Sequence, residues 1–305
     1  GENTVEVIDG GGGTNVIAGT GYGDTIDLSG TSLVNIDRIE TGAGNDTVTG
    51  SSGDDLIVGG AGSDTLRGGS GDDTFVVEGT VGGYDLFNGG DGVDTILGGA
   101  GDDTIRVHNF SGENTVEVID GGGGTNVIAG TGYGDTIDLS GTSLVNIDRI
   151  ETGAGNDTVT GSSGDDLIVG GAGSDTLRGG GGDDIYVYAG GDGSDTIRDD
   201  GGNDTLFFLA GISRNDVAVF MDGTDLVISC GGDVDITVKD QDTPASAIDI
   251  IRSGDGYYLS SADINQIVQD MAAYAVNEGI ALHSVSDIRA NAQLMQIVAS
   301  SWHAS

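Results

Sequence analysis

Seven stretches of the chain read G-G-x-G-x-D-x-U-x, where U is a large apolar residue. Several run head to tail: GGAGSDTLR (Gly59 to Arg67) leads directly into GGSGDDTFV (Gly68 to Val76). A nine-residue period with glycine, acid and apolar residue at fixed phases ties a turn to a short strand and repeats the pair. That combination is the mark of a parallel β-roll. Two nonapeptides make one circuit, so turns eighteen residues apart are expected to stack. The turn at Thr41 to Asp46 should lie on Gly59 to Asp64, and Gly50 to Asp55 on Gly68 to Asp73. The apolar residue at position eight points inward and forms a thin core.

A larger repeat encloses the small one. Residues 1–69 recur unchanged as residues 112–180. The chain begins mid-repeat, so a tandem array within a longer protein is expected. Within a copy the apolar phase steps by nine, with two irregular intervals. The thirteen-residue step from Ile26 to Ile39 holds LSGTSLVNIDRIE, read as a longer, bulged strand. The twelve-residue step from Phe75 to Phe87 is read as an outward loop. The glycine period ends after DDGGNDTLF (Asp199 to Phe207). Asp216 to Lys239 then alternates apolar and polar residues around Asp-Gly and Gly-Gly turns, the pattern of antiparallel hairpins. An open coil end exposes strand edges and needs a cap, and this segment is placed to supply it. After a turn at Pro244, Ser261 is a candidate N-cap, with Ile264, Ile267, Val268, Met271 and Ala275 at helical spacing. A second helical stretch from Ser286 sets Ile288, Met295, Val298 and Trp302 on one side, so the helices should pair or dock on the cap. The reading is all-β: a right-handed parallel β-helix solenoid over 1–207, an antiparallel cap over 208–258 and a helical end over 259–305.

Composition says what the turns need. The 305 residues carry 50 acids against 10 Lys and Arg, a net charge of -40. Such a surface repels nucleic acid and anionic membrane. Only eight of the acids are Glu, and the shorter Asp suits a turn where carboxylate and backbone converge. The 60 glycines each carry an ordering cost of about 0.5–1 kcal/mol relative to Ala, so the bare chain should fold poorly. Divalent cations bound only by the folded form would reverse both handicaps. Glycines that turn carbonyls inward, beside an Asp, offer the hard oxygen ligands that calcium takes in sets of six to eight. No apolar run approaches the ~18 residues that cross a bilayer, and the amino end lacks the basic and apolar regions of a secretory signal. Cys230 is the lone cysteine, so an internal disulfide is excluded and a small apolar filler is expected.

These repeats resemble those of the RTX (repeats-in-toxin) proteins exported by Gram-negative type I secretion systems. The resemblance covers nearly the whole chain and is more specific in the nonapeptides than at the carboxyl end. It implies calcium held by carbonyls of turn positions one and three and by the side chain of the Asp at position six. Carried over by position, the acids are Asp64, Asp73, Asp94, Asp103, Asp175, Asp184 and Asp195. Asp46, Asp55, Asp157, Asp166 and Asp204 follow in imperfect copies. The carbonyl positions are Gly59 and Ala61, Gly68 and Ser70, Gly89 and Asp91, Gly98 and Ala100, Gly170 and Ala172, Gly179 and Gly181, and Gly190 and Asp192. The pattern departs at Asn15 and Asn126, which replace the acid, and at Asp24 and Asp135, whose turns have Tyr at position four. Asp225, Asp233 and Asp263 fall outside the period and are read as structural. The resemblance also implies an uncleaved export signal near the carboxyl terminus, here Leu259 to Ser305, read by an ABC transporter, and a secreted or cell-surface location.

Catalytic groups are scarce. His108, His283 and His303 are scattered, and neither a H-E-x-x-H zinc motif nor a G-x-S-x-G nucleophile elbow occurs. The segment is therefore read as a calcium-dependent folding and secretion module of a toxin, adhesin or exoenzyme, without catalysis of its own. Two alternatives stand beside that reading. One is an ice- or polysaccharide-binding face, for which Thr65, Thr74, Thr95 and Thr104 at position seven give a foothold, although strand propensity explains them equally. The other is an accessory to an enzyme whose catalytic domain lies upstream.

Overall fold

Each regular nonapeptide contributes a strand of about three residues centred on its apolar position eight, as in Thr47–Thr49, Leu56–Val58 and Thr74–Val76. The flanking Thr and Val residues suit the pleat, and the glycine turn stops the strand. The computed structural model describes residues 5–80, 82–112, 114–231, 235–244 and 246–304. Two units divide the chain: Gly1–Thr131 with Asp135–Glu151, and Gly132–Gly134 with Thr152–Ser305.

The first unit is a parallel β-solenoid. Thr25–Asp27, Thr47–Thr49, Thr65–Ser70 and Leu86–Asp91 stack on one face. Val16–Ala18, Arg38–Glu40, Leu56–Val58, Thr74–Val76 and Thr95–Leu97 stack in a second sheet. Consecutive strands alternate between sheets, so Ile39 pairs with Ile57 and Val48 with Leu66, eighteen residues on. These side chains are buried, and Phe75 meets Phe87 edge to face at 5.6 Å. Leu66 still pairs with Phe87 across the twelve-residue step, so the extra residues lengthen a connection and leave the core register intact.

The thirteen-residue step behaves differently from the sequence expectation. Instead of a longer, bulged strand, it supplies a separate one: Ser32–Val34 in the first copy and Ser143–Val145 in the second. A Thr31 N–H to Leu28 carbonyl bond of 2.8 Å opens it, and Asn35, at φ 53°, closes it in the left-handed region that Asn tolerates. Val118–Asp120 pairs with Ser143–Val145 while Val127–Ala129 pairs with Arg149–Glu151, so this circuit holds three strands.

The second unit is likewise a parallel solenoid, with Leu167–Val169, Ile185–Tyr188 and Asp204–Phe208 in one sheet, and Thr158–Thr160, Thr176–Arg178 and Thr196–Arg198 in another. Each sheet gains one further parallel strand, Ile248–Arg252 and Asp235–Val238, and then turns antiparallel. Ala218–Asp222 and Asp225–Ser229 complete the hairpins expected between Asp216 and Lys239. Tyr257–Ser260 and His303–Ala304 close the other sheet. Three helices follow: α1 (Ser261–Glu278), α2 (Val285–Arg289) and α3 (Ala292–Ser300). The N-cap of α1 is Ser260, one residue before the expected Ser261, because Ser260 and Asp263 form the reciprocal capping box. The second helical stretch is broken at Asn291, whose side chain accepts the Gln293 and Leu294 N–H groups and starts α3 afresh. Ile288, Leu294, Val298 and Trp302 are buried on the cap side, while Met295 is only partly covered. The helices both pair, α1 with α3, and pack on the antiparallel strands.

Candidate metal centres

The turns position the site. Gly60 and Gly62 have φ of 90° and 137°, and a Cβ on Gly62 would lie 1.5 Å from the Gly44 carbonyl oxygen of the turn below. Only glycine permits that approach. The turns stack as the period required: the Ala61 N–H donates to the Gly42 carbonyl at 2.8 Å, and the Gly44 N–H to the Ala61 carbonyl at 2.7 Å. Two strands, Thr65–Ser70 and Leu86–Asp91, run on through their glycines, so that Gly69 pairs with Gly90 and Ser70 with Asp91.

Seven position-six acids accept a backbone N–H of the preceding circuit on one oxygen. The Asp46 N–H donates to Asp64 Oδ1, Asp55 N–H to Asp73 Oδ1, Asp73 N–H to Asp94 Oδ1 and Asp166 N–H to Asp184 Oδ1, all at 2.8 Å. Asp157 N–H reaches Asp175 Oδ1 in the same way, and the N–H groups of Asp175 and Asp184 reach Asp195 and Asp204. This bond ties each circuit to the next and aims the second oxygen into the turn. For Asp46, Asp64, Asp73, Asp94, Asp175 and Asp184 that second oxygen is buried without a hydrogen-bond partner among the described residues. It faces position one: a Cβ on Gly59 would sit 2.6 Å from Asp64 Oδ2, and one on Gly68 2.1 Å from Asp73 Oδ2.

Six buried carboxylate oxygens left without donors carry a heavy desolvation cost. Burial, and secondarily the neighbouring carboxylates, push Asp73 up to about 7, Asp175 to about 6 and Asp184 to about 8. Asp195 and Asp204 rise to about 7, and Asp64 and Asp94 are raised by the same cause. Among the described residues, Lys and Arg form ion pairs with Glu40, Glu151, Asp200 and Asp225, none of them one of these inward acids. Such an arrangement fits a hard divalent cation that prefers oxygen. The carbonyls at position three already serve the stack: those of Ala61, Asp91, Ala172 and Asp192 each accept a backbone N–H. At position one, the Gly59 and Gly170 carbonyls accept the hydroxyls of Thr41 and Thr152. Each carbonyl keeps a second lone pair. Gly68, Gly89, Gly98, Ala100, Gly179, Gly181 and Gly190 occupy the corresponding positions of their own repeats.

Not every expected acid is equally available. The second oxygens of Asp55, Asp103 and Asp166 accept the N–H groups of Ser51, Gly99 and Ser162 within their own turns. Asp24 and Asp135, in the departing turns, bind Thr20 and Thr131 likewise. Asn126 donates to the Asn146 carbonyl. Four acids outside position six of the nonapeptides join the pattern. Asp85, Glu117 and Asp249 accept the N–H groups of Asp64, Asp94 and Asp204, and Asp199 lies beside Asp184 and Asp204. Three of them share a signal that the glycine pattern hides: Asp85, Glu117 and Asp249 each stand two residues before a buried apolar residue, Phe87, Ile119 and Ile251.

The residues read as structural have protein partners. Asp225 pairs with Lys239 Nζ at 2.7 Å, and Asp263 belongs to the α1 capping box; Asp233 lies outside the described residues. His108 bonds to Asp135 and His303 to Asp263, while the His283 N–H donates to Asp287. Burial pushes the Cys230 thiol up to about 12, which keeps it protonated.

The RTX calcium-binding nonapeptide repeat (4 copies) matches residues 40–75, 82–105, 146–177, 160–191 and 187–213. No curated protein matches the chain. Among solved structures, the chain is similar to extracellular lipase LipA from Serratia marcescens at 23% identity and a TM-score of 0.32, over 67% of this chain. It spans 41% of the length of that lipase. No helix among the described residues is long and apolar enough to cross a membrane. With nonapeptides matched in both units and their glycine turns stacked circuit on circuit, the chain carries RTX calcium-binding nonapeptide repeats in β-roll form.

Proposed function

We propose that the module folds in response to calcium outside the cell and so supports type I secretion of a larger protein. One observation carries the reading: six buried carboxylate oxygens, in stacked turns, that no donor among the described residues satisfies. Bound calcium would supply the positive charge that these turns lack. The proposed ligands are the position-six acids named above with the carbonyls of positions one and three. In a calcium-poor cytosol, self-repulsion of a chain at -40 keeps the coil open enough to thread through an exporter. Outside, at roughly 10⁻⁴–10⁻³ M affinity per site, several sites acting together decide folding. Far-UV circular dichroism should change from largely disordered in chelator to β-rich in millimolar calcium, with magnesium a poor substitute; identical spectra in both would defeat the proposal.

Residues 259–305 are proposed to carry the export signal in addition to packing on the cap. Coexpression with a type I exporter, with and without these residues, tests it: undiminished secretion of the truncated chain rules the signal out. A second reading, a surface-ligand face, draws on the ladder Thr158, Thr176, Thr196 and Thr237, aligned across neighbouring strands. Ice-binding and glycan-binding assays on the calcium-loaded chain decide that reading. We assign the module no catalytic role.

A further inference from the structure

Asp199 breaks the pattern of the coil. It opens the last nonapeptide, at the position where the seven perfect repeats have glycine. Its buried carboxylate offers an oxygen within 4.8 Å of those of Asp184 and Asp204, which are buried as well. The side chain is held on both sides: Oδ2 accepts the Tyr186 hydroxyl at 2.6 Å and Oδ1 the Gly201 N–H at 2.8 Å. Tyr186 itself fills core position eight, taken by Leu, Ile or Phe in the other perfect repeats. Its oxygen accepts the Gly179 N–H at 2.6 Å and donates to Asp199, so this core residue orients a carboxylate.

A second observation points to a ligand. Asp184 spends Oδ1 on the Asp166 N–H, and its Oδ2 is buried without a partner. That oxygen is directed at the same place as the phenol: a Cβ on Gly179 would be 2.0 Å from Asp184 Oδ2 and 2.6 Å from the Tyr186 oxygen. Three carboxylates this close, with no ion pair to Lys or Arg among the described residues, repel one another unless a cation joins them. Other turns bring together two position-six acids from adjacent circuits; here a third carboxylate is added and preset. More charged ligands and a stiffer site both tighten calcium binding.

We propose that Asp184, Asp199 and Asp204, braced by Tyr186, form a three-carboxylate calcium centre that fills before the other turns of the module. The proposal rests on the calcium reading above and assigns Asp199 as a ligand and Tyr186 as its positioning residue. Calorimetric titration of the full chain with calcium should resolve one tight site ahead of a weaker class. Asp199→Asn should weaken that first site by roughly tenfold or more and leave the weaker class in place. Tyr186→Phe, which keeps the core shape, should weaken it by a smaller factor, and Asp94→Asn should remove a weaker site while the tight one persists. First-site binding unchanged in Asp199→Asn overturns the proposal. Should Asp199→Asn not fold in calcium, Tyr186→Phe decides: an unchanged first site overturns the proposal and a weaker one supports it. No calcium binding by the unmodified chain would instead overturn the calcium reading itself.

Discussion

Residues 5–26 and 116–137 are identical in sequence and unlike in burial. Val5 is 48% exposed and Val116 is 4%; Val16 is 37% exposed and Val127 is 8%. Ile8, Ile17 and Ile26 are half-buried, whereas Ile119, Ile128 and Ile137 are fully enclosed. The difference lies in the neighbours. Val118–Asp120 is flanked by Thr95–Leu97 and Ser143–Val145, and Val127–Ala129 by Thr104–Arg106 and Arg149–Glu151. Among the described residues, Val7–Asp9 pairs only with Ser32–Val34, and Val16–Ala18 only with Arg38–Glu40. From Ile39 and Ile150 onward the copies match, both buried. A nonapeptide therefore specifies its strand and turn, but its share of core comes from the circuits on either side.

The largest effect should come from protons. Burial pushes Asp73 up to about 7 and its counterpart Asp184 to about 8, with Asp199, Asp166 and Asp204 adding to the rise of Asp184. Since these values lie above the unfolded range near 4, the calcium-free coil gains stability as pH falls. That gain is complete below about 4 and lost as pH rises through 7 to 8. In chelator, β-structure should grow between pH 8 and pH 5, with proton uptake; in saturating calcium this window should close, because the cation holds the carboxylates ionised. A chelator titration flat across this range breaks the link between burial and charge in both copies.

Core truncation comes next. Ile128→Ala, inside a fully paired circuit, should cost about 2–5 kcal/mol, and Ile17→Ala, the same residue of the first copy, distinctly less. Calcium-loaded denaturant unfolding of the two variants measures this directly. Equal losses would mean that the half-buried strands of the first copy are covered in solution.

How much of this was legible follows from what each signal reports. The coil, its circuit of two nonapeptides and the inward apolar phase come from a period that acts locally, and Ile39, Val48, Ile57 and Leu66 fall where that period puts them. The extra strands at Ser32–Val34 and Ser143–Val145 were hidden because they lack the glycine turn and are closed by Asn35 and Asn146. The break before α3 was hidden because Asn291 interrupts a continuous apolar stripe by capping alone. Asp199 was missed for another reason. Its partners Asp184 and Tyr186 lie in the preceding nonapeptide pair, Tyr186 13 residues back in the chain, and only the stacking brings them together.

A smaller effect belongs to single ligands. Asp64 and Asp175 are counterparts, each with one oxygen anchored and the other buried without a donor. Asp64→Ala and Asp175→Ala should each raise the calcium midpoint of folding, by similar amounts. Loss of one site at ten times its dissociation constant corresponds to about 1.4 kcal/mol. A clearly larger shift for one of them would show that matching burial does not guarantee matching affinity.

The smallest effect is expected where the cap carries an acid. Asp225 is partly exposed and pairs with Lys239 at 2.7 Å, and that contact holds its carboxyl below the usual range. An ion pair so open to water contributes about 0–1 kcal/mol. Asp225→Ala should therefore lower stability slightly and leave the calcium midpoint almost where it was, while Asp73→Ala moves it. The two substitutions remove the same charge from the chain, so a general relief of self-repulsion would act on both alike. Midpoints that shift together would mean that total charge, rather than the anchored oxygens of the turns, controls folding. A shift confined to Asp73→Ala locates the control in the stacked turns, because Asp225 already has its cation within the protein.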